Sequence, residues 1–445
     1  MKTFDIVIRG GQVVTDEGVQ SADIGIVGEK IELIETEIFG PARTTIDATG
    51  LHIFPGVIDA HVHFNEPGRT EWEGIQTGSR SVAAGGGTLF FDMPLNAHPP
   101  TLDAESFELK RRAAEASSLV DFALWGGLTP SNLDCLEELA DCGVVGFKAF
   151  MCTSGIDDFS SVDERSLGEG MKRAASLELP VAVHAESEGV TAQLRLEAKA
   201  GHHKTARAYL DSRPISAELE AIGRAIELAG ETGCQLHVVH VSCAAGVRLI
   251  SEARRSGLNV TCETCPHYLT LTDEDVERLG AVAKCAPPLR SATERELLWN
   301  ELLAGKIQTV GSDHSPSPPE MKQSPDFFDV WGGISGAQHL LPLMLSRGNL
   351  PLMSQLLSTN VAQTFRVPPG KGRIAAGCDA DLALVKLGGN FELKSEDLFY
   401  RHRQSPYIGR HVSARVEQTL LRGRTIFKNG AIVGQPGGRI VRPVG

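Results

Sequence analysis

Six side chains, spread over more than half of the chain, have the types that bind divalent metal ions. They comprise four histidines, one lysine and one aspartate: His61, His63, Lys148, His184, His240 and Asp313. Imidazole and carboxylate groups suit Zn²⁺ and similar first-row ions. A lysine ammonium has no lone pair to offer a cation, so Lys148 becomes a ligand only if CO₂ converts its amine into a carbamate. We therefore expect Lys148 to be an N6-carboxylysine.

The residue types predict two neighbouring ions and a hydrolytic reaction. One ion would be held by His61, His63 and Asp313, a second by His184 and His240, with the carbamate of Lys148 between them. A water that bridges two cations loses its proton near neutral pH and becomes a hydroxide nucleophile. Asp313 could ligate, accept the proton of that hydroxide and return it to a departing nitrogen. The predicted target is a carbonyl with a poor leaving group, such as an amide.

The elements that must bring these residues together are short strands. Eight apolar runs alternate with helical patterns such as Ala104 to Ser117, Ser216 to Gly230 and Gly246 to Ser256. The runs are Phe54 to His63, Gly87 to Met93, Val120 to Leu128, Val144 to Phe150, Pro180 to His184, Gln235 to Val241, Asn259 to Glu263 and Gln308 to Asp313. This alternation predicts a closed parallel (β/α)₈ barrel rather than a doubly wound open sheet, because no glycine-rich phosphate turn follows the first strand.

The predicted barrel places the six residues at one mouth. In such barrels the active site is built at the carboxyl ends of the strands, and five of the eight runs end with a candidate ligand. The period of two in a strand puts His61 and His63 on the same side. Asp59 shares that side and is a candidate for orienting a ligand histidine.

The two ends of the chain differ from its middle. Residues 1–53 and 365–445 read as short strands separated by turn residues, such as Asn429-Gly430. We predict that both ends build one small β-sandwich beside a barrel formed by residues 54–364.

Composition limits the partners. The chain of 445 residues has 43 Lys and Arg against 56 Asp and Glu, a net charge of −13, which argues against nucleic-acid or anionic-membrane partners. No apolar run approaches the roughly 18 residues of a membrane helix, and the amino terminus does not resemble a secretion signal. Nine cysteines, an odd number, fit a reducing cytoplasm better than a disulfide framework.

The ligand set resembles that of the cyclic amidase branch of the amidohydrolase superfamily. Five segments are similar to allantoinases within that branch: His63 to Arg69, Asp92 to Asn96, Gly146 to Phe150, Cys262 to Tyr268 and Ser312 to Pro316. The resemblance covers essentially the whole chain. It implies hydrolysis of the hydantoin ring of allantoin to allantoate, two divalent ions per subunit (zinc first, with cobalt, manganese or iron as alternatives) and a homo-oligomer, a tetramer or a dimer.

Two other activities of the branch remain open as alternatives. Dihydroorotases usually carry Arg two positions after the second histidine, to pair with a substrate carboxylate, whereas this chain has Asn65. Hydantoinases and dihydropyrimidinases usually place a Tyr shortly after the lysine, and the segment from Ala149 to Ser154 has none. Both departures favour allantoin, a neutral substrate, and Asn65, Asn96 and Ser315 are the candidates for binding it.

Overall fold

The computed structural model describes residues 3–444 and builds them from alternating strands and helices. The strands are β1 (Phe4–Val14), β2 (Val19–Val27), β3 (Lys30–Glu35), β4 (Ala42–Asp47), β5 (His52–Pro55), β6 (Val57–Val62), β7 (Gly87–Asp92), β8 (Asp121–Leu124), β9 (Gly126–Gly127), β10 (Phe147–Phe150), β11 (Val181–His184), β12 (Leu236–Val238), β13 (Val260–Thr264), β14 (Thr309–Val310), β15 (Leu382–Glu392), β16 (His411–Leu421), β17 (Arg424–Lys428) and β18 (Ala431–Ile432). The α-helices are α1 (Ile75–Ala84), α2 (Ala104–Ser117), α3 (Leu136–Cys142), α4 (Glu164–Ser176), α5 (Glu188–Ala200), α6 (Ala206–Asp211), α7 (Ile215–Thr232), α8 (Ala244–Arg255), α9 (Pro266–Thr270), α10 (Asp273–Leu279), α11 (Ala292–Leu303), α12 (Leu340–Met344), α13 (Leu350–Ser354) and α14 (Asn360–Thr364).

Strands β6 to β14 form the predicted barrel. They pair in parallel, in the order β6-β7-β8 and β9-β10-β11-β12-β13-β14, and helices separate consecutive strands except β8 and β9, between which only Trp125 lies. The amide of Trp125, between β8 and β9, donates to the carbonyl of Asp92 at 3.1 Å. At the other seam a parallel bridge joins Val62 to His314, and the amide of His63 donates to the carbonyl of His314 at 2.8 Å. The (β/α)₈ fold is therefore confirmed.

Most barrel strands are shorter than the apolar runs that predicted them, and β13 has the same length as its run but is displaced by one residue. Every residue of β6, β7, β8 and β11 is buried, as expected for parallel strands covered on both faces, which read as continuous apolar runs. Helix α2 has the predicted bounds, because the Asp103 side chain caps it by accepting from the amide of Ser106 at 2.8 Å. Helix α7 extends beyond its predicted range at both ends.

Both ends of the chain contribute to one nine-stranded sheet. Its order is β18-β17-β16-β15-β5-β1-β2-β3, and β4 pairs with β1 in parallel. Strand β5 joins the two ends, since it pairs in parallel with β1 and antiparallel with β15. Isoleucines of the amino-terminal strands and leucines of β15 and β16 share one apolar core. This is the predicted sandwich of both termini.

The predicted domain boundaries can be placed on these elements. The boundary between residues 53 and 54 falls inside β5, and that between residues 364 and 365 falls at the end of α14. The division into 1–53, 54–364 and 365–445 stays a prediction. Residues 1, 2 and 445 of these ranges lie outside the described residues.

Residues 6–8 and 12–15 by themselves read as two short strands separated by a glycine pair, but β1 joins them into one strand that ends at Val14. β1 runs through Gly10, which has a φ of 72°, and its pairing with β2 shifts register between Ile8 and Gly11. Such a bulge needs a residue that tolerates the left-handed region, and glycine does so without steric cost. The glycine pair Gly10-Gly11 therefore marks a bulge within β1 rather than the end of a strand.

Across residues 3–444 no helix combines the length and apolar character that crossing a membrane requires.

Candidate metal and catalytic site

Three of the predicted ligands meet at the seam where the barrel closes. His61 lies in β6, His63 directly follows it, and Asp313 follows β14. The Asp313 Oδ1 atom lies 3.2 Å from His61 Nε2 and 3.4 Å from His63 Nε2. All three residues are buried. Their ligand atoms are all within 4.8 Å of one another, so this group could hold a metal ion.

The other two histidines form an adjacent pair. His184 ends β11 and His240 follows β12 by two residues. His184 Nδ1 lies 3.1 Å from His240 Nε2, so these two nitrogens are directed at one point. The His240 ring centroid is 5.5 Å from that of His61, so the pair adjoins the first group. The structure thus brings together the residues that the sequence assigned to two ions.

The surroundings of the Lys148 side chain indicate whether this set of residues suits metal ions. Its side chain is fully buried in β10, and its Nζ atom has no hydrogen-bond partner among the described residues. The ring centroid of Phe150 lies 5.1 Å from Nζ, and this ring stacks on that of His184 with centroids 4.6 Å apart. Burial lowers the pKa of Lys148 to about 7. An unpaired buried amine is costly in itself, and conversion of Lys148 to a carbamate that ligates cations would remove that cost.

Burial keeps the histidines in the form that binds metals. It lowers the pKa of His61 to about 3, and it lowers the pKa values of His63, His184 and His240 as well. Neutral imidazole is the ligand form. Burial alone would raise the pKa of the Asp313 carboxyl, but its interactions with His61, His63 and His240, including a hydrogen bond with His63, hold that pKa well below its usual range. Asp313 is therefore a carboxylate at neutral pH.

Two backbone conformations at the site are unusual for their residue types. His240 has a φ of 41° and Asp313 a φ of 47°. Left-handed conformations cost about 1 kcal/mol or more for residues with a Cβ, and they concentrate at functional sites. His240 and Asp313 each follow a short barrel strand, and the left-handed backbone turns the side chain toward the other ligands. An extended backbone would instead carry the chain straight on beyond the end of the barrel.

Two carboxylates that the sequence analysis did not identify contact the ligand histidines. The Oε1 atom of Glu263, in β13, lies 2.7 Å from His61 Nδ1, and both residues are 1% exposed. Glu186 lies 2.8 Å from His184 Nε2 and also pairs with Arg213. A carboxylate on the second ring nitrogen fixes the orientation of a ligand imidazole. Burial raises the pKa of Glu263 to about 8.

Sequence signals for these carboxylates differ in strength. Glu186 stands two positions after His184, and a histidine and an acid so close at a strand end were a usable signal. Glu263 ends a predicted strand but lies 202 residues from His61, so nothing local connects the two. Asp59 does not contact an imidazole ring. Its Oδ1 instead accepts from the amides of His61 at 3.3 Å and Ser312 at 3.0 Å, which joins β6 to the segment after β14.

The predicted substrate residues fall into two groups. Asn96 and Ser315 line a cavity of about 350 Å³ together with His61, His63 and Asp313. The Asn96 Nδ2 atom lies 3.5 Å from Ser315 Oγ. Asn65 does not line this cavity. It is 1% exposed, its Nδ2 donates to the carbonyl of Pro316 at 3.4 Å, and its Oδ1 has no partner among the described residues.

The remaining walls of the cavity come from Leu95, Phe150 and five further segments. These are residues 153–155 after β10, the face of α5 that carries Glu188, Thr191, Ala192 and Arg195, Tyr209 of α6 with Ser212 and Arg213 after it, residues 284–286 between α10 and α11, and residues 328–333 after β14. The cavity therefore opens at the carboxyl ends of the barrel strands, and a small molecule entering it would meet the metal-ligating group at its floor.

Comparison with known proteins adds independent information. The model of the amidohydrolase family matches residues 52–426. The chain is 56% identical to an allantoinase of Rubrobacter xylanophilus, over 100% of this chain and 98% of that protein, and 54% identical to an allantoinase of Deinococcus radiodurans, over 99% of both. Among solved structures it resembles the L-hydantoinase (dihydropyrimidinase) from Arthrobacter aurescens with a TM-score of 0.96 and 35% identity, covering 99% of this chain and 100% of that one.

Proposed function

This chain belongs to the amidohydrolase family, and from that premise we propose that it hydrolyses the cyclic amide of allantoin to allantoate. The observation that carries the proposal is the convergence of His61, His63 and Asp313 on one buried point at the floor of an open cavity. Identity above 50% to two allantoinases over nearly the full length supports allantoin as the substrate. The reaction would belong to purine degradation.

The chain's own residues suit two divalent ions. His61, His63 and Asp313 would hold one, His184 and His240 the other, and Lys148, as N6-carboxylysine, would bridge them. The unpaired Nζ of Lys148 and the facing nitrogens of the His184–His240 pair support this assignment. Zinc is the first candidate, because imidazole and carboxylate suit it, and cobalt, manganese and iron are alternatives. When bound, such ions supply an acidified water as nucleophile and polarise a carbonyl oxygen.

Asp313 would be the proton carrier of the reaction. Its carboxylate is ionised at neutral pH. Among residues 3–444 it is the one acidic side chain that pairs with both His61 Nε2 and His63 Nε2 within 4 Å. A carboxylate at this position can accept the proton of the attacking water and return it to the ring nitrogen that leaves. His61, His63, His184 and His240 would remain neutral ligands throughout.

Asn96 and Ser315 are the better-supported substrate residues. Both present uncharged hydrogen-bonding groups to the cavity, and a neutral ureido-substituted ring needs such donors and acceptors rather than an ion pair. Asn65 would act more indirectly, because its side chain lies behind the cavity against Pro316. Its contribution would be to the shape of the segment that carries Ser315.

A second candidate function is hydrolysis of other cyclic amides. The fold similarity to the L-hydantoinase favours 5-substituted hydantoins or dihydropyrimidines as alternative substrates. Dihydroorotate is a weaker alternative, since the position of a carboxylate-binding arginine is taken by Asn65.

We further propose that the enzyme is cytoplasmic, which is supported by its nine cysteines, all of them free thiols. We also propose that it is a homo-oligomer, a dimer or a tetramer, as the family resemblance implies.

One assay distinguishes these substrates. Purified enzyme supplied with zinc, cobalt or manganese is offered allantoin, hydantoin, dihydrouracil and dihydroorotate at equal concentration, and ring opening is followed for each. We expect kcat/KM to be highest for allantoin. A higher kcat/KM for hydantoin or dihydrouracil would establish the alternative, and no turnover of any ring by metal-loaded enzyme would contradict the proposal as a whole.

A further inference from the structure

Two lysines outside the proposed metal centre have an unusual set of partners. Lys284 is the first residue of the cavity-lining segment 284–286, and Lys322 lies in the segment after β14. Lys284 is 4% exposed and Lys322 is partly buried. Neither ammonium forms an ion pair with a carboxylate within 4.0 Å in the part of the chain that the structure describes. A buried cation without a counter-ion is expensive unless hydrogen bonds replace its hydration.

Main-chain carbonyl groups provide those hydrogen bonds. The Nζ atom of Lys284 donates to the carbonyl of Phe327 at 2.6 Å, to that of Phe328 at 3.2 Å, and to that of Val330. The Nζ atom of Lys322 donates to the carbonyls of Ala281, Trp331 and Gly333, at 3.3, 3.1 and 2.8 Å. An ammonium has three N–H donors. Both lysines therefore use their full donor capacity on backbone oxygens.

Five of these six carbonyls belong to one stretch of seven residues, 327–333, which we call the wall segment. It forms no helix or strand, so it lacks the regular backbone pairing that would otherwise fix its shape. Its amides have scattered partners: that of Phe327 donates to Lys204, that of Trp331 to Met321, and that of Gly333 to the carbonyl of Lys284. The two ammonium groups are thus the common points on which the carbonyls of the wall segment converge.

The wall segment is part of the proposed active site. Residues 328–333 line the same cavity as His61, His63 and Asp313. Gly333 is packed so closely on Ser315 that a Cβ there would meet the Ser315 carbonyl oxygen at 2.1 Å. The Trp331 ring lies edge-to-face on Trp72, with centroids 4.9 Å apart. A shift of the wall segment would therefore move a predicted substrate residue and change the cavity mouth.

We propose that Lys284 and Lys322 are positioning residues that clamp the wall segment by its carbonyl groups and thereby set substrate binding. The proposal rests on the cyclic amide hydrolase function, since that function defines the cavity as a substrate site. Among the described residues, no hydrogen bond or ion pair joins either lysine to His61, His63 or Asp313, so the clamp should act on binding rather than on the chemical step. The Lys284 ammonium also forms a cation–π contact with the aromatic ring of Tyr209, whose centroid is 4.5 Å from Nζ.

The test replaces each lysine with methionine, which keeps the apolar stem and removes the donors. In Lys284→Met and Lys322→Met, buried carbonyls of the wall segment lose their partners, so the segment should leave its closed position more often. We expect KM for the best ring substrate to rise about tenfold while kcat changes less than twofold. Chymotrypsin, which cuts after aromatic residues, should cleave within the wall segment at least tenfold faster than in the wild type.

A matched control separates clamping from general destabilisation. Lys371 is also a buried lysine, but its Nζ pairs with Asp121 at 2.6 Å and Asp381 at 2.7 Å, away from the cavity. Lys371→Met should lower Tm and leave KM and wall-segment cleavage unchanged. If Lys284→Met does not fold, the less buried Lys322 carries the test.

The outcomes are distinct for the two proposals. Folded lysine variants with unchanged KM and unchanged cleavage would overturn the clamp, as would a loss confined to kcat. The proteolysis arm needs no turnover. Faster cleavage in an enzyme that opens none of the ring substrates would therefore support the clamp while contradicting the hydrolase function.

Discussion

Glu263→Gln tests whether the carboxylate behind His61 supports metal binding. The variant keeps the size of the side chain and an oxygen that can accept from His61 Nδ1, but it removes the negative charge. The present contact is 2.7 Å long between two groups that are each 1% exposed. With a cation bound to the other ring nitrogen, the ionised form of Glu263 would be favoured.

The expected magnitude follows from the type of hydrogen bond. A bond to a charged group contributes about 1.5–3 kcal/mol and a neutral one about 0.5–1.5 kcal/mol. The substitution should therefore cost about 1.4 kcal/mol of metal-binding free energy, which is about tenfold in Kd. This lies at the lower end of the 10–100-fold loss that is typical when such a supporting carboxylate is changed.

The assay measures metal affinity directly. Metal-free enzyme is prepared by dialysis against a chelator, and zinc is titrated in competition with a chromophoric chelator of known affinity. Glu218→Gln is the control, because Glu218 is equally buried but contacts Ser242 and Arg290 rather than a proposed ligand. Zinc affinity of Glu263→Gln equal to that of the wild type, with both proteins folded, would refute the supporting role of Glu263.

Other predictions concern catalysis, specificity and pH. Asp313→Asn should lower kcat by a factor of about 10²–10⁴ with an unchanged far-ultraviolet spectrum, and retained turnover would remove its role as proton carrier. Asn96→Ala should raise KM for allantoin several-fold more than KM for unsubstituted hydantoin, and equal effects on both would show that Asn96 does not contact the ureido group. Burial lowers the pKa of Lys284 to about 7 from an ordinary 10.5, so the unfolded chain binds more protons than the folded one between these values. The free energy of unfolding of the wild type, relative to that of Lys284→Met, should then rise between about pH 7 and pH 10, by up to about 1.4 kcal/mol per pH unit, as measured by urea denaturation; a difference that is flat or falls with pH would contradict the depressed pKa.

The amino-acid sequence was sufficient to predict the barrel and the six proposed ligands. Barrel strands are buried on both faces, so each appears as a continuous apolar run, and its end is where polar residues first appear. His184 closes such a run, and His61 and His63 alternate on one. Because parallel strands of a barrel all point the same way, residues at their carboxyl ends must meet even when they are far apart in sequence.

The hydrogen-bond partners of the site side chains could not be predicted from the sequence in the same way. The contact between Glu263 and His61 spans 202 residues, and whether Asp59 or Glu263 faces the imidazole depends on strand tilt and ring rotation. Asn65 follows His63 by two residues, yet a left-handed φ of 64° turns its side chain behind the cavity. A strand period cannot be extended past the strand, because the backbone beyond it is free to change direction.

The wall segment shows the clearest division between sequence and structure. Its aromatic and glycine residues are typical of an irregular stretch after a strand, but nothing in them indicates that Lys284 and Lys322 bind its carbonyl groups. The order of apolar and polar residues along the chain determined which strands form and which chemistry collects at their ends. The tertiary structure alone decided which donors satisfy each buried carbonyl and imidazole, because hydrogen bonds act over about 3 Å and depend on packing that no local pattern encodes.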